Sequence, residues 1–116
     1  MRHQSKKITL DRKTAGRRSL LANLAESLIL YGKIKTTKAK AKAARSLVEK
    51  LVTVAGKNTL AARRQIAKTL YTENSVKKLM EVYGPKYKET KGGYTRLTVL
   101  KNRKGDGAEE AVVEFI

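Results

Sequence analysis

Fourteen of the first fifty residues are Lys or Arg and three are acidic, so any fold built from this chain must hold together against its own repulsion or lean on a polyanion. The whole chain of 116 residues carries a net charge of +17, with length enough for one compact domain and a tail. Nucleic acid is the commonest polyanion inside a cell. The absence of Cys excludes disulfides, thiolate nucleophiles and Cys-ligated zinc, and fits a reducing compartment. A single His, His3, leaves no His cluster for a transition metal. The longest apolar-rich run, 20–30, is interrupted by Asn23, Glu26 and Ser27 and is too short to span a bilayer. The basic start is followed by polar residues rather than a cleavable apolar segment. These features predict a soluble cytoplasmic protein with no membrane partner.

Residues 1–13 lack helical periodicity and hold Arg2, His3, Lys6, Lys7, Arg12 and Lys13. They read as a basic arm that orders on a phosphate surface, with a frayed, solvated terminus as the lesser alternative. From Thr14 the pattern turns helical, with Leu20, Leu21, Leu24, Ala25 and Leu28 as one apolar stripe and Gly32 as the stop. Arg17 and Arg18 fall in its first turns, where positive charge opposes the macrodipole and calls for an anion outside the fold. The stretch 33–37, KIKTT, is predicted as a strand whose last Thr caps a second helix over 38–55. That helix buries Ala44, Leu47, Val48, Leu51 and Ala55, and Lys38, Lys40, Lys42 and Arg45 crowd its start.

Asn58 and Thr59 mark a third helix through Tyr71, with Leu60, Ala67 and Leu70 inward and Arg63 and Arg64 outward. A fourth starts at Ser75, buries Val76, Leu79, Met80 and Tyr83, and breaks at Gly84-Pro85. A polar loop, KYKETKGG, leads to a strand over 94–100, a turn near 102–107 and a last strand over 111–116. The fold class predicted is α+β: residues 14–116 form a single domain of three to four helices packed on one face of a small mixed sheet, with the basic extension in front. A hairpin alone is marginal, which favours recruiting KIKTT as a third strand.

Catalysis needs a poised nucleophile, base, metal or cofactor loop. The acids here are dispersed, and no glycine pattern matches a dinucleotide fingerprint or a phosphate loop, so the chain is read as a non-enzyme without cofactor. Gly92-Gly93-Tyr94-Thr95-Arg96 is richer: the glycines permit close approach, Tyr94 offers a ring for stacking, and Arg96 a fork of donors. An ordinary strand lead-in with a core tyrosine explains the same residues. Arg103, at the tip of the last turn, extends the positive surface. No DNA-reading motif is present, and a basic arm on a small body suits an irregular RNA surface. The alternative is a non-specific basic DNA-compacting protein.

The order and spacing of Met1-Arg2-His3, Thr36-Thr37, Lys40-Ala41-Lys42, Ala62-Arg63-Arg64, Gly84-Pro85, GGYTR over 92–96 and Gly105-Asp106 closely resemble the bacterial large-subunit ribosomal protein number 17 family along essentially the whole chain. The resemblance implies an α+β body without enzymatic activity, present as a monomer in the large ribosomal subunit. It also implies contacts with the large-subunit (23S-type) rRNA and with neighbouring ribosomal proteins. It places Arg2, His3, Arg12, Arg17, Lys40, Lys42 and Arg45 on the RNA side, with Arg63, Arg64, Tyr94 and Arg96 as further candidates. The chain departs from the family pattern at Asp11, Gly16, Ala39 and Glu109, where Asn, His, Pro and Pro are usual.

Overall fold

The computed structural model describes Leu10 and residues 12–116. Helix α1 spans Thr14–Tyr31 and ends where expected, at Gly32, whose φ of +81° turns its N–H back to the Leu28 carbonyl at 2.8 Å. Its buried stripe is Ala22, Ala25, Leu28 and Ile29, whereas Leu20, Leu21 and Leu24 of the predicted stripe are half-buried. The helix packs against α2 (Lys38–Ala55), strand β1 (Lys33–Thr37) and α4 (Glu73–Lys78), and where those neighbours stand decides which face is covered. The carbonyls left free by its last turn are satisfied from α4 onward: Lys78 Nζ donates to Leu30 O at 2.8 Å and Tyr83 Oη to Ile29 O at 3.1 Å. Burial, and then the neighbouring Tyr87, push the Tyr83 phenol above its ordinary range.

Helix α2 buries Ala41, Ala44, Val48, Leu51, Val52 and Ala55 at helical spacing. Thr37 occupies its cap position, yet its side chain makes no cap hydrogen bond. Helix α3 (Leu60–Thr69) is capped as predicted, Thr59 Oγ1 accepting from the Ala62 N–H at 3.1 Å. It points Ala62 and Ile66 inward, followed by Leu70, a clean i, i+4 stripe. Leu60 and Ala67, expected inside, lie off that stripe and are exposed. The helix stops at Thr69, before Tyr71.

Two features of the next helix correct the sequence reading. Thr72 is the residue before α4, and Ser75 sits inside it, buried, donating from Oγ to the Thr72 carbonyl at 2.8 Å. Gly84-Pro85 does not break the helix either. A π turn over Leu79–Tyr83 intervenes, the Gly84 N–H reaching Leu79 O, and the short α5 (Gly84–Lys86) continues. Inserting a residue in the turn moves the Pro85 ring off the carbonyl that a regular α-helix would press against it.

Strands β2 (Thr95–Asn102) and β3 (Glu109–Phe115) form the expected hairpin, and β1 adds to the far side of β3, giving the order β1-β3-β2. The α+β layering matches expectation, and both strand pairings are antiparallel. Ile34, Val113 and Leu97 share one row on the helix-facing side, as do Thr36 and Ala111. By the pleat, the opposite face carries Lys33, Glu114 and Arg96 in one row and Lys35, Val112 and Thr98 in the next. An aromatic group welds helix layer to sheet: Tyr83 stacks on Phe115 with centroids 3.9 Å apart, and Tyr87 lies 5.3 Å from Tyr94.

Candidate nucleic-acid interface

Helices α1, α2 and α3 all begin without an acidic residue in the first turn. Arg17 and Arg18, then Lys38 and Lys40, then Arg63 and Arg64 stand near those three starts, where the macrodipole already places positive potential. Neither Lys13 nor Thr37 supplies a side-chain cap to α1 or α2. Such an arrangement costs stability in the free protein and is relieved by an external anion.

Two acids on these helices, Glu26 and Glu49, are turned to another use. Glu26 is buried, and its Oε1 accepts from the N–H groups of Tyr71 and Thr72, fixing the α3–α4 junction. Glu49 Oε2 accepts from the Tyr94 N–H at 3.3 Å, while its Oε1 accepts from the Thr95 N–H at 3.2 Å and Oγ1 at 2.8 Å. Neither role was legible in the sequence, because each carboxylate grips a backbone segment some 45 positions away.

Lys42 and Arg45 line a cleft of about 460 Å³ with Ser46, Glu49 and Gly93. Lys38 and Lys42 line a neighbouring one with Ala39, Ala108 and Glu109, and Lys38 Nζ is 3.3 Å from Glu109. Two departures from the family pattern, Ala39 and Glu109, thus meet at one place. Arg18 joins Leu21, Leu47, Lys68 and Tyr71 around a third cleft of about 330 Å³, where Tyr71 is 63% exposed. Lys57, Lys88 and Lys91 meet at a fourth, beside Gly92. Tyr71, Lys68 and these three lysines come together from segments with no common local pattern, so the sequence did not group them.

Other candidates stand apart. Arg12 and Lys13 are exposed before α1, Lys40 is half-buried, and Arg96 lies on the outer sheet face beside Glu114 in register. Arg2, His3, Lys6 and Lys7 lie outside the described residues. Of the two readings of Tyr94, a stacking ring or a core tyrosine, the packing favours the second. Tyr94 is 4% exposed, its ring is tilted against Tyr87, and its Oη is 3.1 Å from Thr53 Oγ1, so it serves the core.

Arg103 is engaged within the hairpin turn, its Nε donating to Asp106 Oδ1 at 3.1 Å. That hydrogen bond, and next the Ala108 N–H, hold the Asp106 carboxyl down to about 2. A depressed folded-state value means that the turn's stabilisation is complete above the ordinary aspartate range and disappears as pH falls through about 2. A carboxyl-resolved NMR titration is expected to give Asp106 a midpoint near 2, returning toward the ordinary range in Arg103→Ala.

Among the described residues, no helix is long and apolar enough to cross a membrane and no group of three or more His, Cys, Asp or Glu gathers. Fold and surface together define a small α+β protein built to bind a polyanion. The family model described as Ribosomal protein L17 matches residues 20–116. A protein of Solibacter usitatus named large ribosomal subunit protein bL17 is 51% identical over all of this chain and 77% of its own length. Its namesake from a Sulfurihydrogenibium species is 49% identical over all of this chain and 97% of its own length. The namesake from Clostridium acetobutylicum is 46% identical over 92% of this chain and 94% of its own. The chain belongs to the ribosomal protein L17 family.

Proposed function

We propose that this chain is a structural constituent of the large ribosomal subunit, binding and stabilising its rRNA beside neighbouring subunit proteins, as a single copy and without catalysis. The observation that carries this reading is the match of the whole chain to relatives named as large-subunit proteins. The cation-rich helix starts, with no acid in their own first turns, supply the physical mechanism, since each phosphate contact releases a counterion and affinity rises as salt falls. Residues 1–13 act as the arm and 14–116 as the body. Compacting DNA would draw on the same charge, but nothing in the fold favours a duplex, and the family match points to the ribosome.

The test is a salt titration of binding to large-subunit rRNA, with duplex DNA and small-subunit rRNA as competitors. Saturation at one protein per RNA, surviving both competitors in excess, is expected; equal displacement by every polyanion would sink the reading. Replacing Arg12 and Arg17 together with Ala is expected to flatten the slope of log K against log salt by about 1.5, as losing two phosphate contacts should. Arg12 is exposed and Arg17 half-buried, so the thermal unfolding midpoint should hardly move.

A further inference from the structure

The glycine pair of GGYTR takes left-handed backbone angles beside open space. Gly92 and Gly93 have φ of +85° and +66°, and a Cβ at either would meet nothing within 4 Å. Open space at both positions leaves the backbone approachable, on a loop whose far end is tied to helix α2 through Glu49. Lys42, Arg45 and Glu49 recur along one face of that helix at i, i+3 and i+7, and with Gly93 they wall the same cleft. Glu49 is the link: its two oxygens take the N–H groups of Tyr94 and Thr95 and the Thr95 hydroxyl, and Oε1 is 4.0 Å from Arg45 Nε. It pins the end of the glycine loop against the helical face that carries the two cations.

We infer that Gly93, Lys42 and Arg45 form one cradle for an RNA backbone phosphate, and that Glu49 is its positioning residue, so that removing this negative charge weakens RNA binding. The inference rests on the rRNA-binding reading above and adds a site and a sign to it. Simple electrostatics predicts the reverse. Glu49→Gln raises the net charge above +17 and, on a surface that only attracts polyanions, should tighten binding. In the cradle, the amide puts a donor where an acceptor is needed, the loop leaves the helix, and the phosphate loses the wall opposite Lys42 and Arg45.

The test uses the full chain with large-subunit rRNA at several salt concentrations. Glu49→Gln is expected to bind about tenfold more weakly at fixed salt, the scale of one lost charge-assisted hydrogen bond. In a Lys42→Ala, Arg45→Ala background the same change should have almost no further effect, because the cradle is already gone. Thr95→Val removes the Oγ1 to Oε1 bond with no change of charge; it should weaken binding while unfolding cooperatively near the parent midpoint, and it decides the matter if Glu49→Gln fails to fold. Unchanged or tighter binding by Glu49→Gln or Thr95→Val overturns the inference. So does an undiminished Glu49→Gln effect in the background lacking both cations, which would mark Glu49 as a purely structural anchor. In each of those results the unaltered chain still prefers large-subunit rRNA, so the rRNA reading stands. Loss of that preference in the unaltered chain would instead sink the reading, and the cradle with it.

Discussion

Leu28→Asp is expected to abolish cooperative folding. Leu28 is fully buried in the cluster that joins α1 and α2 to the sheet. A carboxylate there finds no partner and either stays charged at high cost or takes up a proton and still wants hydrogen bonds. An unpaired buried charge costs about 3–5 kcal/mol, comparable with the roughly 5–15 kcal/mol that holds a domain of this size together. Leu24→Asp provides the contrast. Leu24 belongs to the stripe that periodicity predicts but is only half-buried, and its substituted carboxylate can turn to water at about 1 kcal/mol. Circular dichroism melts of the two variants settle which face of α1 is the core. Equal loss in both would restore the predicted stripe, and a cooperative melt of Leu28→Asp near the parent midpoint would refute the burial itself.

Gly84→Ala is the second large effect, and its sign is what makes it informative. Gly84 has ordinary helical angles, φ −55° and ψ −57°, so on backbone grounds alanine there should help by up to about 1 kcal/mol. Space decides otherwise. A Cβ would lie 2.9 Å from the Ala55 carbonyl oxygen and 3.2 Å from its carbon, both backbone atoms at the end of α2 that cannot swing aside. The helices must part, at about 1–3 kcal/mol, and the π turn beside Gly84 moves with them. Gly16→Ala is the matched control: a Cβ there meets nothing within 4 Å on the first turn of α1, and stabilisation of about 0.5–1 kcal/mol is expected. Denaturant midpoints should shift in opposite directions. A gain at both positions would show that α2 and the π turn do not approach as closely as described.

Much of the architecture was legible because its signals are local. Gly32 ends α1 through a positive φ that few other residues accept, and Thr59 caps α3 through a bond three residues long. The hairpin follows from two branched runs around a glycine-containing turn. KIKTT was recognisable as a strand, although its place beside β3 depended on sheet closure. Errors arose where a local signal met a stronger distant one. Pro85 reads as a break, yet packing of Tyr83 and Met80 into the core carries the helix past it through a π turn. Tyr94 could be read locally as a stacking ring or as a core residue, and only its contacts with Tyr87 and Thr53 draw it inward.

Charge, the unfavourable clustering of cations at helix starts and the order of the main elements were readable along the chain, since each depends on residue type or on neighbours within one or two turns. Long-range packing fixed which face of α1 is buried, why Gly84 must lack a side chain, and that Glu26 and Glu49 are anchors rather than surface acids. Those outcomes depend on which backbone atoms from remote segments arrive within hydrogen-bond or contact distance. No periodicity along the chain records that distance.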